Sequence, residues 1–183
     1  MKKFARIVGT GSYLPPRIIT NSELEKSLDT TDEWITSRTG IKERRIVEDQ
    51  NTCDLALEAS INALEMAELK ASEIDLIILA TTTPDKIFPA TATTLQDRIG
   101  ASCPAFDIQA VCAGFVFALT TAQQYIENGV AENILVVGSE TMSKIVDWND
   151  RSTAVLFGDG AGAVVVSKDN TTGIKHAKLC SDG

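Results

Sequence analysis

Apolar runs and segments of helical spacing alternate along the chain. Residues 4–15, FARIVGTGSYLP, predict a short strand that leads into a glycine-rich turn. TNSELEKSL pairs Thr20 with Glu23 three positions on, a capping box that opens a short helix. TTDEWITSRTG repeats the signal with Thr30 and Glu33 and closes on Gly40, as a helix C-cap would. A longer helix is expected from about Thr52 to Leu69, where Leu55, Ala59, Leu64 and Ala67 fall near helical spacing. IDLIILATTT has few polar breaks and suits a strand buried on both faces of a parallel sheet. TATTLQDRIG reads as a helix stopped by Gly100, CPAFDIQ as a strand, and Cys112 to about Asn128 as a helix ended by Gly129. NILVVGSE is a further strand, and STAVLFGDGAGAVVVSK reads as two strands joined by a glycine-rich turn.

Strand and helix thus alternate as far as residue 139, with a hairpin after them. This order predicts an α/β fold, a mixed sheet with helices on its faces. At 183 residues and 19.7 kDa, with no linker or low-complexity tract, one compact domain over 1–183 is expected. A hydrophobic content of 44% and mean hydropathy of +0.03 are those of a globular protein. No apolar run approaches the roughly 18 residues of a membrane span. The opening MKKFARIVGTGSYLPP is too short in apolar length and too glycine-rich for a signal peptide, so a cytoplasmic protein without membrane association is expected.

Charge changes this picture in one place. The net charge of −8 argues against nucleic acid as a partner. RTGIKERR nevertheless holds Arg38, Lys42, Arg44 and Arg45 against Glu43 alone, four positive charges less one negative, or +3 over eight residues. Either a solvated turn or a landing site for a phosphorylated or acidic partner has this composition.

The four cysteines, Cys53, Cys103, Cys112 and Cys180, form no CxxC pair, and His176 is the single histidine. Neither a zinc site nor a disulfide framework is expected. His176 sits in GIKHAKLC, where alternation suggests a half-exposed strand; partnership with a cysteine is the less favoured reading. Packing roles are favoured for Cys53, Cys103 and Cys180.

Cys112 differs because it stands between a strand and a helix. If the helix begins at the cysteine, its sulfur lies near unpaired backbone N–H groups. Such an end contributes roughly 0.3–1 kcal/mol to an anion, which lowers the thiol pKa by under about one unit. The same geometry offers donors for an oxyanion and suits acyl transfer from a thioester. A buried cysteine acting as a small hydrophobe reads the same way on local physics. GDGAGA, residues 158–163, matches the loose dinucleotide fingerprint. VVVSK follows it and reads as a strand where a helix is required, so close backbone approach is the better account of these glycines.

Taken together and in order, GTGSYLP, DTTDEWITSRTGI, PAFDIQAVCAGF, VVGSE and FGDGAGA resemble the N-terminal half of the 3-oxoacyl-[acyl-carrier-protein] synthase III family, from residue 4 to residue 183. The resemblance implies a thiolase-like half-fold, in which two similar α/β halves form a subunit and subunits pair as homodimers. It implies that Cys112 is the nucleophile that takes acetyl from acetyl-CoA. Malonyl on its carrier protein then loses carbon dioxide and attacks the acyl thioester, giving acetoacetyl carrier protein. No metal or redox cofactor is implied, the coenzyme A thioester being a substrate.

By the same resemblance Trp34, Arg38 and Arg151 grip the adenine end of coenzyme A, although Trp34 could also simply pack its short helix. Met142 and Phe157 correspond to acyl-pocket walls, and Phe88 to a residue donated across the dimer interface; all three types also serve as plain core. The basic cluster from Arg38 to Arg45 would face phosphopantetheine and an acidic carrier protein, with Lys42 standing where arginine is usual. The family's catalytic histidine and asparagine belong to the second half, which this chain does not include, and His176 does not occupy that histidine's position. This half alone is therefore expected not to complete the condensation. A condensing enzyme with another acyl starter, a non-catalytic assembly subunit and a nucleotide-binding module are the alternative readings.

Overall fold

The computed structural model describes residues 3–182, so Lys2 of the N-terminal lysine pair and the closing Gly183 lie outside it. Seven strands and six α-helices are formed among the described residues. Five strands make one mixed sheet in the order β1 (Phe4–Tyr13), β7 (Asp159–Asp169), β6 (Asn133–Thr141), β4 (Leu76–Ala80) and β5 (Ala105–Ile108). β4 runs parallel to both β5 and β6, while β7 runs antiparallel to β6 and β1. The IDLIILATTT run forms β4, whose five residues are all buried, as a strand covered on both faces must be.

Helices cover the two faces. α3 (Thr52–Ala67) and α4 (Thr91–Ile99) enclose one core, in which Leu55, Ala59, Ala63 and Leu95 meet Ile77, Leu79, Leu135 and Val165. α5 (Gly114–Glu127) encloses the other, with Ala118, Ala122 and Ile126 against Ile78, Ile134, Val136 and Val166. α4 has no side-chain cap of its own at Ala90. Asp107 at the end of β5 supplies one, accepting from the N–H groups of Thr91 (2.8 Å) and Ala92 (2.7 Å).

A third core lies apart from the main sheet. β2 (Arg17–Thr20) and β3 (Glu43–Ile46) pair antiparallel, and α1 (Asn21–Leu24), α2 (Asp32–Thr39) and α6 (Arg151–Ala154) gather against them. Ile19, Leu24, Leu28, Ile35, Ile46, Ala154 and Val155 form its buried centre.

Local signals at helix ends hold. Thr20 accepts from the Glu23 N–H, and Gly40 and Gly100 take left-handed C-cap conformations. Other expectations are corrected. α2 is capped by Thr31, which accepts from the Trp34 N–H, one position later than Thr30. The glycines of GTG lie inside β1, because α3 packs directly on its backbone there. The segment read as two strands is the short helix α6 followed by the single strand β7, with the GDGAGA glycines inside the strand. β7 continues past Ala163 without a helix, so the context a dinucleotide fingerprint needs is not present. Residues 174–182, with His176 exposed among them, have no regular structure where a strand is expected. Cys180 is exposed and does not pack; Cys53 is buried and Cys103 half-buried against the α3 core.

Candidate active site

In β4, β5 and β6, Ala80, Ile108 and Gly138 stand level at the carboxyl edge. This edge is where parallel α/β sheets bind ligands, because the chain leaves the sheet there with backbone and side chains free. A cavity of about 480 Å³ opens at this edge. Leu14, Val111, Cys112, Phe115, Met142 and Phe157 supply its side-chain walls, and the ends of β6 and β7 its floor.

Cys112 is exposed on this cavity. The helix does not begin at the cysteine: Val111–Ala113 form a 3₁₀ turn, and α5 starts at Gly114. Val111 opens that turn with a φ of +47°, outside the right-handed helical region. A β-branched residue in that region is strained by on the order of 1–3 kcal/mol. The reversal turns the chain sharply between β5 and α5 and leaves the thiol on the cavity side. The turn's N–H groups at Ala113 and Gly114 bond to the carbonyls of Ala110 and Val111. They are therefore spent within the turn, and the sulfur sits two residues ahead of the α-helical end.

Two carboxylates that sequence reasoning missed brace the rim. Glu140 accepts from the Thr82 N–H (2.7 Å), the Thr83 N–H (3.0 Å), and the hydroxyls of Thr81 (3.3 Å) and Thr83 (2.5 Å). It fastens the loop after β4 to the end of β6. Asp159, buried at the start of β7, accepts from the Val47 N–H (2.7 Å), and from the N–H (2.8 Å) and hydroxyl (2.5 Å) of Ser143. It thereby fixes the turn that carries Met142. The signal for both was position, at the end or beginning of a central strand, rather than any motif.

Trp34, Arg38 and Arg151 come together away from this cavity, on the third core. The guanidinium carbons of Arg38 and Arg151 each stand 4.8 Å from the Trp34 ring centroid. Arg151 also donates to the Asp29 carbonyl at 2.7 Å. Trp34 does both of the things its sequence allows: it packs partly against the third core and presents a ring to two cations. Phe88 joins neither group. It projects from the loop after β4, 81% exposed beside Ile87 at 96%. Within the basic cluster Arg38 and Lys42 are exposed, but Arg44 is buried and Arg45 is turned onto the carbonyls of Pro15 and Pro16. The cluster is therefore not one continuous basic landing surface.

The remaining thiols have another character. Burial pushes the Cys53 thiol up, with the neighbouring Arg98 guanidinium offsetting part of the effect, and burial likewise raises Cys103. Among the described residues no cluster of metal-ligating side chains occurs, and no helix is long and apolar enough to cross a membrane.

A mixed five-stranded sheet between helices, with a cysteine at the turn that leaves the carboxyl edge, defines a thiolase-like α/β half. The profile of 3-Oxoacyl-[acyl-carrier-protein (ACP)] synthase III matches residues 106–183. A beta-ketoacyl-[acyl-carrier-protein] synthase III of Vesicomyosocius okutanii is 68% identical over 183 residues, all of this chain and 58% of that protein. The crystal structure of 3-oxoacyl-[acyl-carrier-protein] synthase III from Aquifex aeolicus superposes with a TM-score of 0.88 at 55% identity, covering 89% of this chain and 53% of that one. The priming beta-ketosynthase of the R1128 polyketide pathway gives a TM-score of 0.89 at 41% identity, over 92% and 51%. By these matches the chain corresponds to the N-terminal half of 3-oxoacyl-[acyl-carrier-protein] synthase III proteins, spanning little more than half their length.

Proposed function

We propose that these residues are the nucleophile-bearing half of an acyltransferase that initiates fatty acid synthesis. One observation carries the reading: the Cys112 thiol lies open on an apolar cavity at the carboxyl edge of the sheet. The Cys112 thiolate attacks the carbonyl carbon of acetyl-CoA, coenzyme A leaves as its thiolate, and an acetyl-cysteine remains. Malonyl on its carrier protein then loses carbon dioxide. The resulting carbanion attacks the acetyl-cysteine carbonyl, and the cysteine sulfur departs with its electron pair. Acetoacetyl carrier protein is the product. The sequence of steps uses no metal or redox cofactor.

Leu14, Phe115, Met142 and Phe157 make the cavity apolar, which protects a thioester and a carbanion from water. Met142 and Phe157 act as acyl-pocket walls in this reading. The donors that stabilise the carbanion come from the C-terminal half, the family partner of this domain. Phe88, with its apolar side chain displayed to solvent on an extended loop, suits insertion across a homodimer interface. The deciding experiment supplies the complete protein with acetyl-CoA and malonyl carrier protein. Acetoacetyl carrier protein is expected by mass spectrometry, and decarboxylation without condensation would remove the proposal. A panel of longer acyl-CoAs separates it from a polyketide-priming specificity.

Trp34, Arg38 and Arg151 form the coenzyme A clamp in this reading. A purine entering over Trp34 displaces a guanidinium that can then close on its far face. Stacking of a base on an aromatic side chain contributes about 1–3 kcal/mol, and loss of the existing cation contact offsets part of it. Trp34→Ala is therefore expected to raise the KM for acetyl-CoA about tenfold with kcat maintained. Trp34→Phe retains a ring and should recover most of the loss. Steady-state kinetics on the two variants decide, and an unchanged KM in Trp34→Ala would refute the clamp.

A further inference from the structure

Arg44 is 5% exposed, and no carboxylate is among its hydrogen-bond partners. Its Nη1 donates to the Ile19 carbonyl (3.3 Å), and its Nη2 to the Asn21 Oδ1 (2.9 Å) and the Val155 carbonyl (3.1 Å), while its Nε is buried without a partner. Burial pulls this guanidinium below its usual range. A cation held among neutral oxygens is an expensive way to fill a core. Its geometry shows what it joins.

On one side stands α2. Asn21, itself buried, donates to Asp32 Oδ1 (2.8 Å), Thr36 Oγ1 (3.3 Å) and the Ile41 carbonyl (2.8 Å), so it grips both ends of the helix that bears Trp34 and Arg38. On the other side stands Val155, the C-cap of α6, which bears Arg151. Arg151 lies four positions before the bonded carbonyl. The next segment is also held by β3. A Cβ added at Gly158 would stand 3.1 Å from the Arg44 Cβ and 3.0 Å from the Arg45 carbonyl oxygen, so residue 158 is pressed onto β3 immediately after the cavity-lining Phe157.

We infer that Arg44 is a positioning residue, the buried fork that sets the spacing between the Trp34–Arg38 helix and the Arg151 helix and so shapes the clamp for the nucleotide end of a coenzyme A thioester. The inference rests on the reading of Trp34, Arg38 and Arg151 as that clamp. Arg44 touches neither substrate nor thiol, and its fork reaches α2 through Asn21 and the end of α6 at the same time. Lysine keeps the charge but offers one point where guanidinium offers a planar array of donors.

Arg44→Lys in the complete enzyme tests this. Each hydrogen bond from a charged donor that is lost is reflected as roughly a tenfold change in the affinity it supports. The KM for acetyl-CoA is expected to rise by about that factor with kcat maintained. Acylation of Cys112 by acetyl-N-acetylcysteamine, a thioester without a nucleotide, is expected to be unaffected by the change. Equal losses with both thioesters would reduce Arg44 to general packing and overturn the inference, as would no change with either. Should Arg44→Lys fail to fold, Asn21→Ser cuts the same bridge from the α2 side and is judged by the same split. If Trp34→Ala and Arg151→Ala also leave the acetyl-CoA KM unchanged, the clamp itself is wrong and this inference goes with it. If those two variants raise the KM while Arg44→Lys and Asn21→Ser do not, only the positioning role fails.

Discussion

With Cys112→Ala, the complete protein is expected to take up no acetyl group from acetyl-CoA, and condensation should fall by on the order of 10⁴-fold or more. None of the other three thiols of these residues is placed to stand in. Cys53 is sealed at 1% exposure. Cys103 is half-buried on the α3 side of the sheet, with burial raising its pKa, and Cys180 lies on the irregular C-terminal segment and does not line the cavity. Alanine removes one sulfur atom at an exposed position, so stability and the cavity should be preserved. Intact-mass measurement after incubation with acetyl-CoA is the check. One adduct is expected on the unaltered protein, with peptide mapping assigning it to Cys112. An adduct that persists in Cys112→Ala would place the acyl group elsewhere and refute the mechanism.

The residues named for the candidate site came from the family resemblance. Cys112, Met142 and Phe157 come from three separate segments, and the structure brings them to one cavity. Trp34, Arg38 and Arg151 likewise meet, though at a second location. α5 starts at Gly114 and not at Cys112 because a 3₁₀ turn intervenes, and the positive φ with which Val111 opens it leaves no mark in sequence; a valine before a cysteine reads as strand or helix and not as a reversal. Arg44 shows a different failure. In RTGIKERR all four cations look alike, but strand pairing of β3 with β2 makes Arg44 and Ile46 buried neighbours of the third core while Glu43 stays outside. Charge counting cannot separate a surface cation from a buried fork.

The fold divides along the same line. Helix caps are short-range chemistry, so most ends were placed within a residue or two. The long apolar run of β4 announced a central strand without help from its partners. The third core was not legible, since it gathers residues from Ile19 to Val155 whose local patterns say nothing of one another. Nor was the course of β7. Its glycines suggested a turn, yet pairing with β6 on one side and β1 on the other keeps the strand extended through them. Non-local pairing overrode local preference in each of these places.

That override gives the largest stability effect expected of a single methyl group, at Gly11. The register of β1 slips between Ile7 and Gly9, the mark of a bulge. Before it, Ala5 belongs to the core under α5; Val8 at the slip and Tyr13 after it pack with the core under α3. Gly9 and Gly11 thereby come to lie beneath α3. A Cβ on Gly11 would stand 2.2 Å from the Ala59 carbonyl oxygen and 2.4 Å from the Ala63 N, both backbone atoms of the helix. No rotamer change can relieve such contacts; α3 would have to lift from the sheet. Gly11→Ala is therefore expected to destabilise the protein by about 3 kcal/mol or more, at the upper end of overpacking effects. Gly162 on β7 provides the comparison. It lies opposite Ser12, and a Cβ there would come no nearer than 3.9 Å to the Gly11 carbonyl oxygen. Gly162→Ala should stay within about 0.5 kcal/mol of the parent. Urea midpoints of the two variants decide the matter. Equal midpoints would mean that these glycines serve strand flexibility, and a large loss confined to Gly11→Ala would show that α3 rests on bare backbone.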